Sequence, residues 1–580
     1  MKTFSTLLIY ILLPFLFFSS CKNEPRIDTS GIATDSLSIA AGKNLFNQTC
    51  ASCHSFNQTG IGPPLGGLTG EVSSDWIKAF VHNPKKVIDA GDTRAKGLFE
   101  KYKADMTPFP NLADSSLNQI IAYMHKQPKP AFITAGDTAQ ALINPIPDTI
   151  HMSNLVIDLK LIMQFPASDT NKKLLTRITK MDIEPHSKDL YVLDLRGKMY
   201  KVKGKTASVF FDITKEKPKF MEHPGLATGF GSFAFHPEFF KNGLLYTSHS
   251  EPPASAKADY GYPDSIPVAV QWVLTEWKTD HPTAPTFKGT SREILRIDMQ
   301  SVIHGMQEII FNPYSKPGSE DYGLMYIGVG DGGSVEHGYP QLAHHLDKIW
   351  GNVLRIDPRG KSAQATASTN GRYGIPNTNP FVALKDSNAL GEIYARGFRN
   401  PHRITWTTAG DMLVSNVGHA NIETLNHILP GHDYGWPVTE GPFRINIKGD
   451  MKKIYAPPAE YSKYHFTNPL AMYDHDEGLA ICGGYEYTGS SIGQLKGKFI
   501  FGDIVRGRVF YINTADIKTG KMLPFEESRI TLDGKPTSLK DICGCTKVDM
   551  HYGRDAQGNM YILTKPDGKV YKMVNASLLQ

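Results

Sequence analysis

The spacing of apolar positions changes character along the chain. Near the start, Leu7 to Phe18 form an unbroken apolar run that ends in Phe18-Ser19-Ser20-Cys21, and residues 22–36 are polar with no periodicity, which predicts a tether. Helical spacing follows. Ala40 to Gln48 lead into a Cys50 motif, and Leu117, Ile120, Ile121 and Met124 recur at i, i+3, i+4 and i+7 behind Asp114, which is placed to cap that helix. These segments predict one small all-α unit over residues 37–128. Pro128, Pro130, Pro145 and Pro147 then mark a linker over 129–150. From residue 151 to 580 the texture is β. Short apolar segments recur between Gly, Asp, Asn and Pro, among them LYVLDLRGKMYKV from Leu190 and the similar MYILTKPDGKVYKM from Met560. Roughly 430 residues are too many for one sandwich, whereas six propeller blades of four strands, about 70 residues each, absorb that length. The expected architecture is a small all-α domain followed by a large all-β six-bladed propeller.

Composition narrows the class. Hydrophobic residues are 41% and charged residues 21%, so wholesale disorder, a collagen-like chain and a multispan membrane protein are excluded. The net charge of +5 over 580 residues gives no basic face for nucleic acid. Lys2 before the apolar run, Pro14 within it and the polar Lys22-Asn23-Glu24-Pro25 after it make residues 1–20 a signal peptide and not a transmembrane helix. Small residues followed by Cys21 resemble a bacterial lipoprotein signal, although Phe18 stands where that signal usually has Leu. The resemblance implies lipidation of Cys21 and a periplasmic or cell-surface protein held at a membrane surface. Plain secretion and an uncleaved anchor are the alternatives.

Cys50-Ala51-Ser52-Cys53-His54 is C-x-x-C-H. Two thiols at this spacing reach the two vinyl groups of one porphyrin edge, and the next histidine supplies the proximal nitrogen to iron. A zinc site would need a second Cys or His pair nearby, and a thioredoxin-type pair would need a βαβ setting; neither is present in the sequence. With Gly42-Lys43 and Phe46 before the motif and Gly62-Pro63-Pro64-Leu65 after it, the segment resembles a small class I cytochrome c. That resemblance implies haem c bound through Cys50 and Cys53, with His54 and Met106 as iron ligands; Met106 precedes the last helix in Met106-Thr107-Pro108-Phe109. Core packing is the ordinary fate of a methionine, and His82 and His125 are the rival ligands. A His/Met haem accepts single electrons.

In the β half, Gly328-Val329-Gly330-Asp331-Gly332-Gly333, Trp350–Pro358, Ile375–Phe381, Glu392–Pro401, Val417–Asn426 and Asp433-Tyr434-Gly435-Trp436-Pro437 resemble the glucose/sorbosone dehydrogenase family of six-bladed propellers, over about residues 180 to 575. Characterised members oxidise sugars with pyrroloquinoline quinone and calcium. The resemblance implies His304 as the base that takes the hydroxyl proton. It places Arg399 and Asn400 against the quinone, adds Arg506 or Arg508 as a further cation, and assigns calcium to the backbone carbonyls of Gly418 and His419. Three departures stand against it: Ile303 and Met306 flank His304 unlike the family, His419 replaces a proline, and Val505 stands near a family lysine. A surface role for His304 and a structural ion pair for Arg399 are the plain readings. Asp331 with two glycines reads first as a turn, and His344-His345 beside Asp347 as a capped surface turn. Cys482, Cys543 and Cys545 remain, and Cys482 with Cys543 or Cys545 is the expected disulfide.

Together these readings predict an exported quinohaemoprotein dehydrogenase. A sugar or polyol substrate loses two electrons in the propeller, and the attached haem passes them to a downstream acceptor in the periplasm or membrane. A cytochrome fused to a propeller that only binds a carbohydrate or protein is the main alternative, and an enzyme with another oxidant is the third.

Overall fold

The computed structural model describes residues 27–579 except 52, 61, 103–105, 131–139, 170–173, 224–227, 361–363, 385–387 and 519. Cys21 and the signal segment lie outside the described residues.

The N-terminal domain is helical: Ser36–Thr49, Ser74–His82, Pro84–Asp89, Thr93–Tyr102 and Asp114–His125. Local chemistry sets where the helices begin. Asp35 accepts from the Ser38 amide at 2.8 Å, Ser73 caps the second helix, and Asn83 with Pro84 opens the third. Asp114 departs from its expected role. The cap is Ala113, with no side-chain bond, and Asp114 instead meets His82 Nε2 at 3.0 Å. Leu117, Ile120, Ile121 and Met124 are buried with Phe46, as their helical spacing predicts. Each fully buried aliphatic side chain contributes about 1.5–3 kcal/mol. The first and last helices touch through Gly42, where an added Cβ would lie 1.9 Å from the Gln119 carbonyl oxygen.

The rest of the chain is β-rich. Three antiparallel sheets have four strands each: Phe230–Phe235 to Thr290–Met299; Met306–Phe311, Met325–Val329, Asn352–Ile356 and Ile393–Arg396; and Pro401–Trp406, Met412–Asn416, Ile422–His427 and Ala471–Asp474. A thirteen-stranded sheet holds most of the remainder. Parallel pairings join Met152–Gln164 to Glu526–Leu532 and Ile178–Ile183 to Met550–Arg554, and they divide twelve of its strands into three antiparallel runs of four, the thirteenth, Lys535–Thr537, pairing on the side with Glu526–Leu532. The similar segments at Leu190 and Met560 form hairpins in two of these runs. In the run that holds the Met560 hairpin the chain closes on itself: Met152–Gln164 pairs antiparallel with Lys569–Leu578, Leu159 opposite Met573. The first strand of several sheets is buried along its whole length, as in Phe230–Phe235 and Pro401–Trp406, so polar side chains such as Ser232, His402 and Arg403 are buried there and burial does not alternate.

The cysteines correct the expected pairing. Cys543 and Cys545 are bonded to each other, and Cys482 is a buried thiol whose sulfur lies 3.2 Å from the Met550 carbonyl oxygen. Two residues apart in an extended strand, cysteine side chains share a face but their Cα atoms lie about 6.6–6.8 Å apart, at the far limit of a disulfide's reach. Here Gly544 ends a short helix in the left-handed conformation, φ +63°, and the turn brings the two Cα atoms to 5.2 Å.

Candidate functional site

Three turns of the β domain converge. His304 lies between the strands Thr290–Met299 and Met306–Phe311, with φ +53° and 8% of its surface exposed. That left-handed conformation is costly for a non-glycine residue and marks a side chain held for a purpose. Asp331 holds it: His304 Nδ1 is 2.8 Å from Asp331 Oδ1, the same oxygen accepts from the Gly333 amide at 2.8 Å, and Trp436 Nε1 donates to Oδ2 at 3.0 Å. Asp331 is therefore both the turn residue that the two glycines indicate and the carboxylate that orients His304. With Nδ1 donating to Asp331, the Nε2 lone pair is left to take a proton. Burial, and then the neighbouring Arg399 charge, push the His304 pKa below its usual value, so the imidazole is neutral and basic.

Arg399 follows the strand Ile393–Arg396, and its carbonyl accepts from the Asp331 amide at 2.8 Å. Its guanidinium is 5.8 Å from the Trp436 ring centre. Nε and Nη2 donate to Glu336, and Nη1 donates to the Gly418 carbonyl. Burial alone would raise the Glu336 carboxyl, but Arg399 and His419 hold it well below the ordinary carboxylate range. His419 Nδ1 lies 3.1 Å from the same Glu336 oxygen, and its buried Nε2 has no partner among the described residues. Glu440 fixes this turn by accepting from the amides of His419, Ala420, Asn421 and Ile422. Asn400 Nδ2 reaches Gln307 at 3.4 Å.

His304, Arg399, Asn400, Gly418 and His419 are thus brought together, as the motifs imply. The surface reading of His304 does not fit, since it is buried against Asp331; the ion-pair reading of Arg399 does, since its guanidinium pairs with the buried Glu336. Glu336 escaped the sequence reading, because nothing in Ser334-Val335-Glu336-His337 marks it; only the fold puts it against a guanidinium 63 positions away. Arg506 is elsewhere engaged, donating to the carbonyls of His475 and Asp476, and Arg508 pairs with Glu477 and Glu527. His344 is no surface turn residue. It meets Asp433 at 2.7 Å, and Arg396 meets the same carboxylate.

In the helical domain, His54 Nδ1 donates to the Pro63 carbonyl at 2.8 Å, the orientation that leaves Nε2 for iron. Gly62 lies so close that a Cβ there would sit 2.2 Å from the His54 ring, so this cradle admits only glycine. Cys50 and Cys53 form no disulfide. Both nitrogens of His82 are engaged, by the Phe109 carbonyl and Asp114, and His125 Nδ1 meets Thr69 Oγ1. Met106 is half-buried ahead of the last helix. This donor set fits a covalently held haem. The quinone and calcium positions fit less well. A quinone bearing three carboxylates needs cations that are not already neutralised, and Arg399, Arg506 and Arg508 are all engaged by protein groups; the Gly418 carbonyl, expected to face calcium, accepts from Arg399.

The two domains meet at this cluster. Ser301 Oγ is 3.4 Å from the Ala51 carbonyl, and an added Cβ on Gly60 would lie 3.7 Å from the free oxygen edge of Glu336. The loop that carries the C-x-x-C-H motif therefore lies over the residues that orient His304 and Arg399.

Comparison with known proteins agrees with this division. Residues 39–128 match the cytochrome c family and residues 181–534 match the family "Glucose / Sorbosone dehydrogenase". The chain is 26% identical over 412 residues to the HIPL1 protein of Arabidopsis thaliana, covering 64% of this chain and 56% of that one, and 26% identical over 361 residues to the human Hedgehog-interacting protein, covering 60% and 43%. It is 25% identical over 275 residues to quinoprotein glucose dehydrogenase B of Acinetobacter calcoaceticus, covering 45% and 49%. The chain spans about half the length of these relatives. The apo structure of the soluble aldose sugar dehydrogenase from Escherichia coli aligns over 73% of this chain and 100% of its own, with a TM-score of 0.47 and 18% identity. A β domain matched along most of its length, joined to a helical domain whose C-x-x-C-H loop is built for haem, makes this chain a member of the glucose / sorbosone dehydrogenase family that carries its own cytochrome c.

Proposed function

We propose that the protein is an exported dehydrogenase that oxidises a small sugar or related alcohol at the His304–Arg399 site and passes the electrons to its own haem. The observation that carries this reading is the placement of the haem-motif loop over that site, with Ala51 beside Ser301 and Gly60 beside Glu336. Fusion gives donor and acceptor a high effective concentration, which serves no purpose unless the β domain does redox chemistry. His304, oriented by Asp331 and held neutral, takes the hydroxyl proton of the substrate. Arg399 presents a fixed positive charge where electron-rich oxygens gather. Haem supplies the one-electron acceptor.

Taking two electrons from carbon also needs a two-electron carrier, and pyrroloquinoline quinone with calcium is the carrier in this proposal; the Acinetobacter relative is named a quinoprotein. Loading it requires Glu336 and the Gly418 carbonyl to release Arg399. The four-strand groups are read as six blades of one propeller, and Cys21 as the lipid anchor at a membrane surface.

The test uses purified protein with covalent haem. Pyrroloquinoline quinone and calcium are added, then a panel of aldoses and polyols, while the haem absorption is followed. Haem reduction with at least one substrate is expected, falling roughly 100-fold or more in His304→Ala with haem content unchanged. No reduction with any substrate overturns the proposal. That result would favour the second reading, a cytochrome joined to a binding propeller, which the occupied guanidinium of Arg399 supports.

A further inference from the structure

Gln58 belongs to the haem-motif loop, yet its side chain is 6% exposed and bonded to the other domain. Nε2 donates to the Gly449 carbonyl at 2.6 Å and Oε1 accepts from the Met451 amide at 3.3 Å. One amide thus meets a donor and an acceptor of a backbone segment almost 400 residues away. Both ends of the clamp are stiff. Ser55 Oγ bridges the Gln58 amide and carbonyl, and Asn421 Nδ2 ties the Met451 carbonyl to Glu440, the carboxylate that fixes the His419 turn. Beside it, Lys452 Nζ sits 4.0 Å from the centre of the Tyr102 ring.

With the helical domain seated in this way the site is shut. His304, Arg399 and Asn400 are each buried; the small cavity on the other side of Arg399, lined by β-domain residues alone, measures about 10 Å³, room for about one water and no sugar. We propose that Ser301, Glu336 and the 449–452 segment form the docking surface of the haem loop, with Gln58 as its anchor. In the docked arrangement the loop closes the site and stands nearest to it. Ligands reach His304 only when the clamp opens. Ligand access and electron exit therefore belong to two arrangements of the same surface. This deepens the dehydrogenase reading, but its test involves no turnover, so the two can fail separately.

The test places a reporter thiol under the loop. In haem-loaded, full-length protein, Ser301→Cys is alkylated with and without Gln58→Ala. Every variant also carries Cys21→Ser, and the remaining background is low: Cys482 is buried with its thiol pKa pushed up to about 12, Cys543 and Cys545 are bonded to each other, and Cys50 and Cys53 carry haem. The thiol of Ser301→Cys should be protected, and Gln58→Ala should speed its labelling about tenfold or more, the loss of two buried hydrogen bonds. Lys452→Ala should add a smaller increase, and the haem spectrum should not change. Equal labelling with and without Gln58, or labelling as fast as in urea, overturns the proposal. Should Ser301→Cys fail to fold, hydrogen exchange at residues 300–304 and 447–453 in Gln58→Ala alone decides by the same criterion: faster exchange in both segments supports the docking surface, and unchanged exchange overturns it.

Discussion

At the scale of single residues, the molecule holds several histidines neutral by burying them. His402 on Pro401–Trp406 and His551 on Met550–Arg554, strands of two different sheets, have ring centres 5.7 Å apart, among Arg403, Lys565 and Asp549. His402 Nδ1 and both nitrogens of His551 have no protein partner among the described residues. Burial first, then the charges of Arg403 and Lys565, push both pKa values well below the usual 6.5. The sign follows directly. Below pH 6.5 the unfolded chain takes up protons that the folded one refuses, so stability is full above 6.5 and falls as the pH drops. Each such histidine contributes about 1.4 kcal/mol per pH unit. His551→Gln is expected to flatten the loss of urea-unfolding midpoint between pH 7 and pH 5. A slope equal to that of the unchanged protein would contradict this account. The same scale shows what a sequence can and cannot reveal about a site. Arg399 was legible because it sits in a recognisable string, Glu392–Pro401, and His304 only by its place ahead of the turn at Gly330–Gly333, since Ile303 and Met306 depart from the family around it. Asp331 was legible only as a turn residue, since its bond to His304 depends on two turns 27 positions apart lying side by side. Glu336 was not legible at all: a glutamate with no helix, cap or motif around it looks like any surface acid until the fold buries it against Arg399.

Elements were legible wherever local chemistry alone decides them. The 3.6-residue spacing of Leu117, Ile120, Ile121 and Met124 gave the last helix of the small domain, and its start was misplaced by one residue because Asp114 had a better partner in His82, a contact no local rule contains. The disulfide failed for a related reason. Cys543 and Cys545 flank the end of a short helix that closes on a left-handed glycine, a turn that brings two near neighbours within bonding reach and that the expected pairing with Cys482 did not contain. Gly42 gives the element scale its prediction. The first and last helices approach so closely that Gly42→Ala must push them apart, since its Cβ would lie 1.9 Å from a backbone oxygen that cannot swing aside. Adding a methyl to such a contact costs about 1–3 kcal/mol or more. The thermal midpoint read in the haem band should fall, while the far-ultraviolet signal of the β domain keeps its own transition. An unchanged haem-band midpoint would show that the helices have slack.

For the molecule as a whole, the β domain holds itself together by its two ends. Met152–Gln164 lies between Lys569–Leu578 and Glu526–Leu532, so the first strand after the linker is paired on both edges by strands made last. No period in the sequence announced this join, which pairs residues about 370 to 420 positions apart. Leu159 is fully buried at its centre. Leu159→Ala is expected to cost about 2–5 kcal/mol and to lower the denaturant midpoint of the β domain, with haem attachment intact. A shift confined to the haem band would mean that the join does not bear on the β domain. The clamp at Gln58 has a different consequence, for the order in which the protein is made. Covalent haem attachment needs a loop that an enzyme can reach, and the finished molecule covers that loop with residues 301 and 449–452. Those residues leave the ribosome hundreds of positions after Cys50 and Cys53. Synthesis from the N-terminus therefore leaves an interval in which the cysteines are open and the surface that will cover them does not yet exist; a chain with the β domain placed first would fold its docking surface before the thiols had met their porphyrin.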